Sequence, residues 1–201
     1  MADGASRALL GTDGESPGSY SSWVVLGTYL GGGTVLCGSY VWGIAVLMRQ
    51  YGTAMSLWGH LSDPGWAWLR YGYYVSMTVS AIGFFPSLVY AVRICRFLPK
   101  SKVNAICAWL LAFYISEMFW MPMCVAYINS PSTLMYTLIR IDLAMSGILA
   151  LAWACSKLAA VPVEVQEAAG CCVRVLGTVG TAIFALHCAV LDAIVWPPFF
   201  K

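Results

Sequence analysis

Glu117, Arg140, Asp142, His187 and Asp192 are the residues of this chain whose presence most needs explaining, because each lies in a stretch otherwise apolar enough to cross a lipid bilayer. A charge in hydrocarbon requires a partner, a water-filled cavity or a task such as moving protons or ions. A histidine with nearby carboxylates suits that task, since imidazole titrates near neutrality. The plainer reading is interhelical glue, in which buried hydrogen bonds of about 1 kcal/mol each hold the helices in one arrangement. Catalysis has less support. The sequence has no GxSxG, HExxH, Gly-rich phosphate loop, CxxC or CxxCH motif, and His60 and His187 are isolated from one another. No catalytic residue, metal or cofactor is therefore expected, beyond bound lipids.

The elements that must position these five residues follow from composition. Of 201 residues, 60% are apolar and 10% charged, against about a quarter charged in ordinary soluble domains. Residues 23–48, 67–94, 103–128, 134–158 and 171–196 each reach the roughly 20 residues that a membrane-spanning helix needs. The expected fold is an all-α polytopic bundle of five transmembrane helices, or four if the segment carrying both Arg140 and Asp142 does not insert. A Gly/Ser-rich polar tail (1–22) precedes the bundle (23–196) and a short tail (197–201) follows it. The first 22 residues lack the basic start of a signal peptide and the Arg-rich pattern of a transit peptide, so the first apolar segment is expected to serve as its own insertion signal.

Orientation follows from the basic residues, which favour the cytoplasmic or matrix side. Arg7, Arg93, Arg96, Lys100, Lys102, Lys157 and Arg174 fall on one side against Arg49, Arg70 and Lys201 on the other, seven to three. This places the N-terminus inside and the C-terminus outside. The net charge of +2, scattered along the chain, gives no reason to expect a nucleic-acid partner. No Asn-x-Ser/Thr sequon is present, and the loop-poor design slightly favours an energy-converting organelle membrane such as that of a mitochondrion.

Depths along ideal helices gather the five ionisable residues into one layer. From the outer ends, Arg140 and Asp142 lie roughly 9 and 12 Å down, Glu117 and His187 about 16 and 14 Å, and Asp192 about 6 Å. Arg140 and Asp142, two residues apart, point about 200° from one another and cannot pair. The reading that follows is Glu117 with Arg140 as a central ion pair, Asp142 turned towards His187, and Asp192 within reach of water. Asn129-Ser130-Pro131-Ser132 forms a tight turn that makes the third and fourth helices antiparallel neighbours.

In the first helix Gly27, Gly31, Thr34 and Gly38 fall on one face, a stripe of small residues that lets another helix approach closely. The rival reading takes Gly31-Gly32-Gly33 as a break exposing backbone groups to an ion. Pro86 and Pro122 bend their helices, and Trp58, Trp66, Trp68, Tyr71, Tyr73 and Tyr74 read as an aromatic belt at the outer interface. The eight cysteines read as buried structural thiols, with Cys171 and Cys172 at a membrane edge as candidates for palmitate.

The run Val195-Trp196-Pro197-Pro198-Phe199-Phe200 resembles the tryptophan-proline-proline stretch of the five-helix tryptophan-rich sensory protein, or translocator protein, family. It covers six residues and lies at the end of the last helix, where that family has it mid-chain, so no function is carried over. Two functions are expected instead: a non-catalytic subunit that adds helices to a larger membrane complex, and, as the alternative, a small transporter or ligand-binding protein using the polar layer.

Overall fold

A computed structural model describes the backbone of residues 18–200 and the side chains of residues 22–200. Six α-helices are present among them: α1 (Gly18–Tyr51), α2 (Ala67–Ile94), α3 (Lys100–Asn129), α4 (Thr133–Leu158), a short α5 (Val163–Ala168) and α6 (Cys171–Leu186), which continues as a π-helix over His187–Val195. Five spans, Ser22–Tyr51, Pro64–Ile94, Lys100–Asn129, Thr133–Leu158 and Cys171–Val195, are long and apolar enough to cross a membrane. The fourth segment is thus a full-length helix despite Arg140 and Asp142, and the protein is built as a five-span membrane bundle. Most of the expected tail 1–22 lies outside the described residues, and α1 already begins within it at Gly18.

Ser132 shows why α4 starts where it does: its side chain accepts a hydrogen bond from the backbone N–H of Met135 at 3.2 Å, satisfying one of the open donors of the first turn. The turn before it folds α4 back along α3, as expected. Pro86 and Pro122 sit inside helices that continue through them.

Packing between α2 and α6 depends on bare backbone. Gly83 and Gly180 face one another so closely that a Cβ added to Gly83 would stand 2.9 Å from the Gly180 Cα. One turn away, Gly177 admits the Tyr90 ring, and Gly147 of α4 lies against Cys188 and Ala189 of the π-helix. Small residues at such crossings let main chains approach, which is how helices associate in lipid where no hydrophobic drive acts between them.

The glycines of α1 divide differently from the expectation. Gly32 lies under the Tyr114 ring and Gly43 against Met121, so these two face the bundle. Gly27, Gly31 and Gly38 have no atom within 4 Å of where a Cβ would stand, and all four residues of the stripe, Thr34 included, are exposed. Only 11% of the most apolar part of α1 is buried, against 28% to 39% in the other four spans; α1 is the peripheral helix. It is also continuous through Gly31-Gly32-Gly33, which removes the broken-helix alternative.

The cysteines are free and split evenly: Cys95, Cys107, Cys124 and Cys188 are buried, while Cys37, Cys155, Cys171 and Cys172 are exposed. Burial pushes the Cys95 thiol, just beyond α2, up to about 12, which suits an inert packing group.

Gly180→Leu should force α6 away from α2 and destabilise the bundle by about 1–3 kcal/mol or more, whereas Gly72→Leu, where nothing lies within 4 Å, should be tolerated. Unfolding in mixed detergent micelles, followed by circular dichroism, distinguishes them; equal losses in the two variants would refute the crossing.

Candidate functional site: two buried polar clusters

Glu117 does not meet Arg140. Its Oε2 accepts a hydrogen bond from the Tyr40 hydroxyl of α1 at 2.6 Å, and its Oε1 is buried without a partner. Arg140 is exposed, and its guanidinium stands 5.7 Å from the centre of the Tyr136 ring, one turn nearer the N-terminus of α4. The physical reason is reach: a long cationic side chain lowers its energy by extending to the headgroup level instead of crossing into the bundle. The layer therefore keeps its carboxylate and loses its expected cation.

Asp142 turns to α3 and not to His187. Ser116 Oγ donates to its Oδ1 at 3.0 Å, and Ser146 Oγ donates to Ser116 at 2.9 Å, while Oδ2 is buried and unpartnered. A short carboxylate can use only the neighbour directly beside it, and α3 lies alongside α4 through the tight turn.

His187 instead finds its carboxylate on its own helix. His187 Nε2 lies 3.5 Å from Asp192 Oδ2, and its Nδ1 lies 2.8 Å from Ser76 Oγ of α2. In an α-helix residues five apart point about 140° from one another. The π-helix, with bonds such as Trp196 N–H to the Leu191 carbonyl at 2.8 Å, stacks position i+5 over i and so makes the pair possible. Asp192 is therefore a paired group with a 27% exposed side chain and not one standing free in water. Beside it the Tyr73 hydroxyl donates to the Leu191 carbonyl; Tyr73 has left the aromatic belt for the core, while Trp66, Trp68, Tyr71 and Tyr74 stay exposed.

A second cluster was not anticipated. Lys157, counted above among inner-side cations, is fully buried. Its Nζ donates to Tyr29 OH at 3.1 Å and to Ser87 Oγ, and sits 3.9 Å from the centre of the Trp153 ring. Thr181 Oγ1 lies 3.0 Å from the same Ser87 Oγ. The signal was available: Trp153 precedes Lys157 by four residues, the spacing at which helical side chains meet.

Aromatic residues separate the clusters. Phe84 lies between Ser76 and Ser87 on α2, Phe113 precedes Glu117 on α3, Trp153 lies between Ser146 and Lys157 on α4, and Phe184 lies between Thr181 and His187 on α6. Their rings touch, with Phe84 to Phe184 at 5.5 Å, Phe113 to Phe184 at 5.4 Å and Trp153 to Phe184 at 5.7 Å between centroids. Among the described residues no three His, Cys, Asp or Glu side chains converge as metal ligands. The arrangement can hold protons and hydrogen bonds in two storeys with an aromatic floor between them.

Over the upper storey lies the run expected as a short tail. Trp196 and Phe200 are buried and stacked at 4.3 Å; Trp196 Nε1 donates to the Leu57 carbonyl at 3.1 Å, and the His60 N–H to the Phe199 carbonyl at 2.8 Å. The C-terminal residues up to Phe200 are part of the fold. Comparison with known proteins finds no matching family model, no similar curated protein and no similar solved structure.

Lys157→Met should leave the melting temperature unchanged or raise it, because an apolar side chain of similar length removes the cost of burying the polar amine. Tyr40→Phe should lower stability by about 1–3 kcal/mol, since it strips Glu117 of a donor. Thermal denaturation of both variants in one detergent checks the contrast, and a large loss in Lys157→Met would contradict it.

Proposed function

We propose that this protein is a non-catalytic membrane subunit that contributes helices to a larger complex. The observation carrying the reading is α1: a continuous 34-residue helix seated by Gly32 and Gly43, with Gly27, Gly31, Thr34 and Gly38 turned outward and uncovered. Bilayer helices associate through close packing at such small-residue faces. Its unbroken backbone offers no free carbonyls for an ion, which favours assembly over transport. The partners are other membrane subunits and lipid. The cluster of Arg93, Arg96, Lys100 and Lys102 supports a cytoplasmic or matrix location for the α2–α3 connection and hence for the N-terminus, and an energy-converting organelle membrane remains the favoured site. Exposed Cys171 and Cys172 at the start of α6 are the candidate palmitoylation sites.

The unpartnered Glu117 Oε1 and Asp142 Oδ2 favour one second reading, a small transporter or ligand-binding protein with its site in the upper storey.

After extraction in mild detergent the chain should migrate with other membrane proteins, and Gly31→Leu should reduce their recovery by about tenfold while the chain itself stays soluble and helical. Recovery of the parent as a monodisperse, partner-free species would overturn the subunit reading. For the second reading, reconstituted vesicles should show a flux that Glu117→Gln abolishes; no flux in the parent, or one unaltered by the substitution, would sink it.

A further inference from the structure

Between α3 and α4, at the end of the bundle that bears the basic connection, lies a groove of about 480 Å³. Its α3 wall is Lys102, Ala105 and Trp109, spaced three and four apart and so on one helical face. Its α4 wall is made of short side chains, Ala152, Cys155 and Ser156 among them. The concavity follows from that pairing: an indole projects from one helix where the other offers only small groups.

Charge and depth are graded along the groove. Lys102 is exposed in the first turn of α3, at the end of the span, and Trp109 lies about 10 Å deeper by helical rise. The first turn of α3 contains no acidic residue, and no side chain caps its N-terminus, so the positive end of the helix dipole adds to Lys102. Arg93 lies in the last turn of α2 and Arg96 on the connection that follows it. Of the carboxylates on the α4–α6 connection, Glu167 is engaged by Arg174 at 3.5 Å, and neither it nor Glu164 lines the groove. A cation at the membrane edge above an apolar slot in the hydrocarbon region is complementary to an amphiphile with a negative head and a long chain.

We infer that this groove binds one anionic glycerophospholipid, its phosphate at Lys102 and an acyl chain laid between Trp109 and Ala152. A neutral lipid would fill the slot equally well but would leave the lysine and the helix terminus unmatched. Free phosphate would meet the charge without the apolar contact. The site is independent of the α1 face, which lies on a different helix, so the subunit reading can fail without affecting it.

Native mass spectrometry of the full chain, titrated in detergent with phosphatidylglycerol and phosphatidylcholine of matched chains, tests the site. One phosphatidylglycerol should bind, about fivefold more tightly than phosphatidylcholine, the factor one basic residue at a membrane surface provides. Lys102→Ala should reduce phosphatidylglycerol to the phosphatidylcholine level, and Ala152→Phe, which fills the slot, should weaken both. Arg49→Ala, at the far end of α1, should change neither, and inorganic phosphate should not compete. Equal affinity for the two lipids in the parent, or unchanged preference in Lys102→Ala, would overturn the inference. Should Ala152→Phe aggregate, the Lys102→Ala arm still decides, since an exposed side chain is removed.

Discussion

The contact on which the rest of this bundle depends is the main-chain approach of Gly83 to Gly180. Neither position tolerates a Cβ without displacement of the opposing backbone, so the crossing of α2 and α6 has one depth and one register. That register sets every polar contact between the two helices. On one side of the crossing it brings Ser87 to Thr181, and through Ser87 it gives Lys157 a partner. On the other it brings Ser76 to His187 and Tyr73 to the Leu191 carbonyl. Hydrogen bonds worth about 1 kcal/mol each could not hold helices apart or together against lipid by themselves. Close backbone packing fixes the geometry, and the hydrogen bonds then make that geometry specific.

With the helices fixed, the distribution of charge follows from what lipid does not supply. Hydrocarbon offers no donors or acceptors, so a buried polar group can find partners only within the bundle. Hydroxyls are the currency-free solution here: Tyr40, Ser116, Ser146, Ser76, Ser87 and Tyr29 surround Glu117, Asp142, His187 and Lys157. Arg140, expected to pair with Glu117, instead extends along α4 to the Tyr136 ring. Glu117 and Lys157, the buried carboxyl and amino groups, are kept apart by the ring-filled layer of Phe84, Phe113, Trp153 and Phe184, so they do not pair with one another.

What the sequence could reveal was set by which physical quantity each inference used. Span number and the antiparallel α3–α4 turn depend on apolar length and on local turn chemistry, and both were legible. The fate of individual side chains depends on helix rotation, which apolar composition on all sides conceals. The stripe Gly27, Gly31, Thr34, Gly38 and the Gly177-Thr178-Val179-Gly180 segment carry the same kind of small-residue signal, yet only the second packs within the bundle. His187 and Asp192 escaped pairing because an ideal α-helix holds them apart and the π-helix that joins them has no simple sequence signature. Lys157 was misplaced because a cation near a helix end ordinarily reaches water, whereas the Trp153 face and two hydroxyls hold this one inside.

The C-terminal run shows the same logic at the surface of the bundle. Two consecutive prolines cannot extend the π-helix, because they lack the N–H that its i+5 bonds require. The chain turns back, and the rings of Trp196, Phe199 and Phe200 pack inward. Phe200 meets Tyr127 of α3 at 5.3 Å, the Tyr136 hydroxyl of α4 donates to the Pro197 carbonyl at 2.8 Å, and Phe199 meets Trp66 at 4.9 Å. Three spans and the α1–α2 connection are thereby tied to one another at a single point. From that point an unbroken aromatic series runs inward, Trp196 to Trp120 at 5.5 Å and Trp120 to Tyr40 at 5.4 Å, ending on the hydroxyl that Glu117 accepts. The run that terminates the last helix is therefore also packed, ring by ring, to the tyrosine that donates to the buried carboxyl of Glu117.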